Sequence, residues 1–390
     1  MRRSSLWFVA LAVVLVGLAG CDWQMVRFDA GRTAHNPLSG MSAENASRLG
    51  MAWSVTGDGF NVGTQTPVVL EANGIVVYGC AVEIGCAFDG FAAANASDGT
   101  FRWSASGRPG AIDANTVYAT VPTDPQQTDY KLTALALGSG AVTWSIASKA
   151  AGGTSGNFGQ VVAVDHGKVF VLTTAGSGHG AVGALDVWDA ASRRVVWSVA
   201  PVSSAPAISD GRVFVFEPSP GRNPLYALDE NTGGQIWSAP ATTVPCNSDL
   251  VVSGGYLFTD GASYRTQDGT VAGHWPVCPS NFTFAADGTN LFAVQLGATI
   301  SADELVSFDG VSGAVHWSSP IGGEASAAPV IGDGVIFVSN ALHLLGFDTA
   351  NGSPVSVVPS VGAILNDPVL GQGILLATTN NKVYAWRPTS

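Results

Sequence analysis

The stretch Tyr226-Ala227-Leu228-Asp229-Glu230-Asn231-Thr232-Gly233-Gly234-Gln235-Ile236-Trp237 decides how the rest of the chain is read. An alternating apolar segment ends on an acid, a glycine-containing turn follows, and a second segment closes on tryptophan. Glycine supplies the positive φ that so tight a hairpin needs. The same unit returns at 92–99 (AAANASDG), 134–140 (ALALGSG), 306–313 (VSFDGVSG) and 346–352 (GFDTANG). The closing tryptophans are Trp103, Trp144, Trp197, Trp237, Trp275 and Trp317. From Trp103 to Trp317 is 214 residues in five intervals, about 43 each, the period of a four-stranded propeller blade.

A second hairpin precedes each of these. Ala205-Pro206-Ala207-Ile208-Ser209-Asp210-Gly211 leads into Val213–Phe216, and Ala328-Pro329-Val330-Ile331-Gly332-Asp333-Gly334 leads into Ile336–Val338. Each repeat therefore holds four strands, A to D, with tryptophan on D. Repeats begin near Thr66, Gly110, Val161, Ala205, Asp249, Phe282, Ala328 and Asp367, which makes eight. The eighth runs out after its third strand, Lys382–Arg387, and Leu49–Val55 with Trp53 supplies the missing one. Trp53 to Arg387 is 334 residues, about 42 per repeat over eight. The expected fold is all-β: an eight-bladed β-propeller of four-stranded antiparallel blades, closed by an N-terminal strand that removes the exposed sheet edges. Seven equivalent tryptophans (Trp53, Trp103, Trp144, Trp197, Trp237, Trp275, Trp317) read as inter-blade packing, and Trp188 reads as replacing a core leucine.

Ahead of the ring, Arg2 and Arg3 precede an apolar stretch from Leu6 to Leu18, too short for a comfortable membrane span. It ends in Leu18-Ala19-Gly20-Cys21, a bacterial lipobox. The expected organisation is a signal peptide over 1–20, a lipidated Cys21 with a tether over 21–48, and one propeller domain over 49–387. Export places the protein outside the cytoplasm, held at a cell or outer membrane by its lipid. There the remaining cysteines, Cys80, Cys86, Cys246 and Cys278, are expected as disulfides, Cys80–Cys86 within a B–C loop and Cys246–Cys278 bridging consecutive D–A connections.

The chain carries 29 acids against 17 bases, a net charge of −12. That balance opposes nucleic acid and anionic lipid head groups. Six scattered histidines show no metal-ligand spacing, and no metal site is expected. No Gly-x-Ser-x-Gly elbow occurs between a strand and a helix, and no catalytic residue is assigned.

The repeat resembles the PQQ-like (quinoprotein alcohol dehydrogenase-like) β-propeller superfamily, whose blade motif, roughly ALD-x-x-TG-x-x-x-W, stands here as Ala227 to Trp237. The lead-in Phe28-Asp29-Ala30-Gly31-Arg32-Thr33-Ala34-His35-Asn36-Pro37 is similar to the stretch before blade 1 in exported members. Length, lipobox and blade count resemble the BamB family of propeller lipoproteins in outer-membrane assembly. The first resemblance implies PQQ with Ca²⁺ and an oxidoreductase; the second implies a scaffold for an envelope protein or complex. Quinoprotein dehydrogenases clamp their cofactor under a vicinal disulfide, and no two cysteines are adjacent here. The expectation is therefore a scaffold without cofactor, a monomeric ring, with the oxidoreductase as alternative. Long B–C loops and D–A connections share one face, where variable loops on a rigid frame place function. At the channel mouth on that face, Gln65, Thr66, Asn157, Gln160, Asp249, Asn281, Asn366 and Asp367 stand ready for a ligand or for ordered water.

Overall fold

In the computed structural model the chain forms eight four-stranded antiparallel sheets, in seven of which the strands follow one another in sequence order. Residues 22–389 are described, apart from 57–66, 81–89, 124–128, 155–157, 176–181, 218–223, 241–248, 276–283 and a few single or paired positions (203, 260, 300–301, 326, 341–342, 359–360, 363, 365–366, 380–381). Blades 1 to 7 occupy 67–106, 108–147, 158–202, 207–239, 251–274, 285–320 and 330–358. Blade 8 takes Val369–Gly371, Ile374–Thr379 and Lys382–Pro388 from the C-terminal end and its D strand, Leu49–Thr56, from the other. That strand pairs antiparallel with the last one from Leu49↔Pro388 to Thr56↔Lys382. The closed eight-bladed ring is as the repeat count requires.

Inner strands lie between neighbouring blades and are buried on both faces, so they read as continuous apolar runs, such as Ile374–Thr379. Outer D strands alternate: in Phe101–Ser106 the ring of Trp103 is buried while Phe101 and Arg102 face solvent. Every C–D pair carries a register shift at the same position of the blade, and blade 3 has a second between Gly183 and Leu185. Ala227 pairs with Trp237 but Leu228 with Gln235, so Ile236 is bulged out. The same shift recurs in the other seven blades. A bulge sharpens the local twist and re-aims the next side chain. Here it turns each tryptophan off its own sheet toward the next blade.

There the tryptophan meets the C–D turn of its neighbour. The indole N–H groups of Trp53, Trp103, Trp197, Trp237 and Trp317 donate to Ala96 O, Leu137 O, Glu230 O, Thr266 O and Thr349 O at 2.8–3.0 Å. Each ring lies over the turn glycine of that neighbour: Gly99, Gly140, Gly233, Gly269 and Gly352. The blade motif is thus legible in physical terms. Ala227 is small because Trp237 lies opposite it. Asp229 accepts from Asn231 N, Thr232 N and Thr232 Oγ1 at 2.9–3.0 Å and shapes the turn. Gly233 (φ +69°) leaves room for Trp197.

Three blades depart from this clasp: in blade 2 Trp144 is only half-buried and the turn of blade 3 carries Arg193 in place of glycine, and the departure in blade 5 corrects the sequence reading. In blade 5 the position opposite Ser263 is Gly273, not Trp275. Trp275 lies two residues on, among Phe258 and Phe308. With no indole in the way, the turn of blade 6 closes on bare backbone: a Cβ at Gly273 would stand 1.7 Å from Val311 O. In blade 7 the position is Ser356, opposite Gly346. Its neighbour, blade 8, is assembled from two chain ends and so has no C–D hairpin to clasp. The one-turn helix Ala43–Ala46, capped by Ser42, packs against strands C and D of blade 7 there instead. Trp188 is fully buried and pairs with Val195, the place of Leu228 in blade 4, as a core residue should.

The lead-in is not a tether. Trp23 (2% exposed), Met25, Arg27, Ala34, Asn36, Ser39 and Met41 are all buried. Its carbonyls run round the inner rim and take one amide from the A strand of blade after blade. Trp23 O accepts from Glu71 N, Gln24 O from Ile112 N, Ala30 O from Ile208 N, Gly31 O from Val252 N, Thr33 O from Ala286 N and Ala34 O from Ile331 N, all at 2.7–2.9 Å. Each donor lies two residues before its A–B turn, in blades 1, 2, 4, 5, 6 and 7. Asn36 Nδ2 then reaches Leu370 O in blade 8 at 2.7 Å. Residues 22–41 are therefore a hub that closes the channel at the A–B end and satisfies strand edges that would otherwise point into it.

Candidate functional site

The hub makes its turns with four non-glycine residues in the left-handed region, Arg27 (φ 71°), Phe28 (φ 78°), Arg32 (φ 63°) and Ala34 (φ 52°). Such a conformation persists only where the surroundings over-determine it. Two of the four are the arginines that carry the chemistry of the channel. Arg27 Nη1 meets Asp367 Oδ2 at 3.2 Å, and its Nη2 donates to Phe284 O. Arg32 Nη2 meets Asp249 Oδ1 at 3.6 Å. Asp367 also accepts from Ala328 N at 2.8 Å, which ties blade 8 to the start of blade 7. Burial lowers the Arg27 pKa while Asp367 opposes the shift; an arginine stays charged under either influence. Asp29, half-buried in the same segment, is pushed up by desolvation and held by Thr33 N and Oγ1 at 2.9 and 2.8 Å.

Of the eight polar positions expected at the channel mouth, Gln160, Asp249 and Asp367 lie among the described residues and are half-buried. Gln65, Thr66, Asn157, Asn281 and Asn366 lie outside the described residues. So do Cys21, Cys86, Cys246 and Cys278; Cys80 ends strand B of blade 1, and nothing further bears on the disulfides. The two acids are not free to receive a ligand, because the hub already supplies their countercharges. What remains open in the hub is one buried N–H on each guanidinium, the Nε of Arg27 and of Arg32, which has no partner among the described residues.

Sequence reasoning missed both arginines, since a stretch taken for a tether has no reason to hold a buried cation. The signal was present: Trp23, Met25 and Phe28 are costly residues to leave in a solvated linker.

A second group sits between the A–B turn of blade 3 and the C–D turn of blade 4. His166 Nδ1 lies 3.1 Å from Asp165 Oδ2 and 3.3 Å from Glu230 Oε2, and Lys168 Nζ lies 3.3 Å from Glu230 Oε1. These three ligand-type side chains could close on a divalent cation. With Lys168 in place, they also form a self-contained ion cluster. A third group fixes a D–A crossing on the loop face. Buried Asp186 accepts from Thr154 N at 2.9 Å, Ser198 Oγ at 2.6 Å and the Tyr130 hydroxyl at 3.3 Å. Burial and that carboxylate push the Tyr130 hydroxyl well above its ordinary range, so it serves as a donor and not as a base.

With the ring and its hub in place, likeness to known proteins becomes informative. A family profile described as outer membrane protein assembly factor BamB matches residues 128–273 and 221–390. The chain belongs to this family of PQQ-like β-propellers. Among solved structures, BamB from Moraxella catarrhalis superposes with a TM-score of 0.58 at 17% identity, over 87% of this chain and 99% of that one. The quinohemoprotein alcohol dehydrogenase from Comamonas testosteroni gives 0.66 at 13% identity, over 94% of this chain and 80% of that one. A europium-containing methanol dehydrogenase gives 0.70 at 10% identity, over 95% and 98%. At such identities the likeness is one of fold, and this family's fold carries both assembly factors and dehydrogenases. Among curated proteins, none matches the sequence.

Proposed function

We propose that the protein is a lipid-anchored, extracytoplasmic scaffold that presents its B–C and D–A loop face to another envelope protein or complex. The observation that carries this reading is the self-neutralised hub. The chain's own N-terminal segment fills the A–B end of the channel and occupies its acids, which leaves the loop face as the free functional surface. Membership of a family described by an assembly factor supports it, and so does the lipobox at Cys21.

Crosslinking in intact cells followed by mass spectrometry tests it, with recovery of one envelope protein through loop-face positions as the expected result. Crosslinks spread at background level over the whole ring would reject it. Replacing Cys21 by Ser should leave the ring folded and release it from the membrane fraction, because among the described residues no helix is long and apolar enough to cross a membrane.

An oxidoreductase is the alternative. A quinone with Ca²⁺ needs free carboxylates for the ion and free cations for the quinone's own carboxylates. In the hub Arg27 and Arg32 are spent on Asp367 and Asp249, so the hub leaves that group neither acid nor cation free, which weighs against this reading. Adding PQQ and Ca²⁺ and recording a stoichiometric quinone spectrum would reverse the ranking.

A further inference from the structure

We propose that the lipid anchor fixes the orientation of the ring: the A–B face lies flat against the bilayer and the loop face points away from it. This rests on the reading of Cys21 as the lipidated residue. The tether that would let the ring turn does not exist. Asp22 Oδ1 accepts from Asn73 N at 3.3 Å, at the A–B turn of blade 1, and the next residue, Trp23, is buried and bonded to Glu71 N. Asn73 is itself tied across to blade 2, its amide donating to Ala114 O at 3.0 Å. The chain is thus pinned from Asp22 onward, and Cys21 alone lies between the ring and its lipid.

The place of exit matters as much as the lack of slack. A strands of adjacent blades touch one another around the ring, so they are its innermost strands, and the chain leaves beside one of them. Three further strands lie outside it, and at about 4.8 Å per strand the rim stands roughly 15 Å farther from the axis. For the disc to stand on edge, the exit point would have to sit at least that far above the head groups. A single residue spans only about 3.5 Å. Standing on edge or turning over would drive blades into the bilayer, and the disc is confined to lie down on its A–B face.

Charge does not produce this seating. Exposed Asp113, Asp210, Asp287 and Asp333 ring the A–B turns, so anionic lipid repels the face within about a Debye length. The orientation is mechanical, set by the attachment point, and the B–C loops are carried to the membrane-distal side, where a partner would meet them.

The test uses the full lipidated protein in phosphatidylcholine vesicles that contain a head-group-labelled acceptor lipid. A donor fluorophore is introduced as an unnatural amino acid at Asp210, an A–B turn across the ring from blade 1, or at exposed Leu296 on the loop side of blade 6. The vesicles should float with protein bound, and energy transfer from position 210 should exceed that from 296 at least twofold. Inserting twenty Gly/Ser residues between Cys21 and Asp22 should abolish the difference while the protein still floats. Equal transfer from the two positions in the unspaced protein, or a difference that survives the spacer, overturns the orientation while leaving the anchor intact. Protein that fails to float overturns the anchor, and the orientation falls with it.

Discussion

Gly140 carries no side chain because the indole of Trp103 occupies the place where one would go: a Cβ there would stand 2.6 Å from the ring, at φ +69°. Gly140→Ala should therefore combine backbone strain with a displaced tryptophan and cost about 2–4 kcal/mol, read as a shift of the denaturation midpoint. Blade 3 offers the opposite experiment. Its turn has the same hydrogen bond, Arg193 N to Asp189 O at 2.8 Å, but places an arginine at φ +60° where the other turns have glycine. The facing tryptophan, Trp144, is only half-buried. Arg193→Gly should relieve the strain and let Trp144 seat. After the entropy glycine adds to the unfolded chain, the gain is about 1 kcal/mol in the same melt. At this scale the sequence was readable wherever motif and register coincide. It misled at His274-Trp275, which repeats the wording of His316-Trp317 but stands two residues farther from its turn glycine, Gly269, than Trp317 stands from Gly313, so the same bulge puts Gly273 in the tryptophan's place.

Among the elements, the D strand of blade 8 was legible from its missing partner and the lead-in was not. Strand closure is written in side chains: Trp53 repeats the tryptophan of every other complete clasp. The lead-in holds the ring through its carbonyls, which any residue possesses, so no periodicity marks it. One side chain at this seam makes a pH-dependent prediction. Glu71, where blade 1 meets the hub and blade 8, is pushed up to about 7, first by burial and then by Asp22, from an ordinary 4.5. The folded state thus holds a proton that the unfolded chain releases between those values. The resulting stability is fully present below about pH 4.5 and lost as the pH rises through 7, a difference on the order of 3 kcal/mol. Glu71→Gln should flatten that slope, so that the variant matches the parent at low pH and exceeds it at pH 8 in urea titrations. Identical slopes for the two proteins would show that Glu71 ionises normally.

For the molecule as a whole, the repeat period, the blade count and the joining of the two chain ends follow from about 42 residues per turn of the pattern. The position of the channel's charges does not, because Arg27 and Asp367 are 340 residues apart and meet only once the ring has closed. Residues 22–41 are the hub on which the ring closes. Deleting residues 22–40 while keeping Leu49–Thr56 tests it most directly, by thermal melt beside the mature chain. Loss of buried Trp23 alone is worth roughly 3–5 kcal/mol, and Asp249 and Asp367 would lose their arginines. The hub predicts a loss of at least about 5 kcal/mol, approaching that of deleting 22–56 with the closing strand included. A truncated protein that melts with the mature chain would contradict it and restore the segment to a tether.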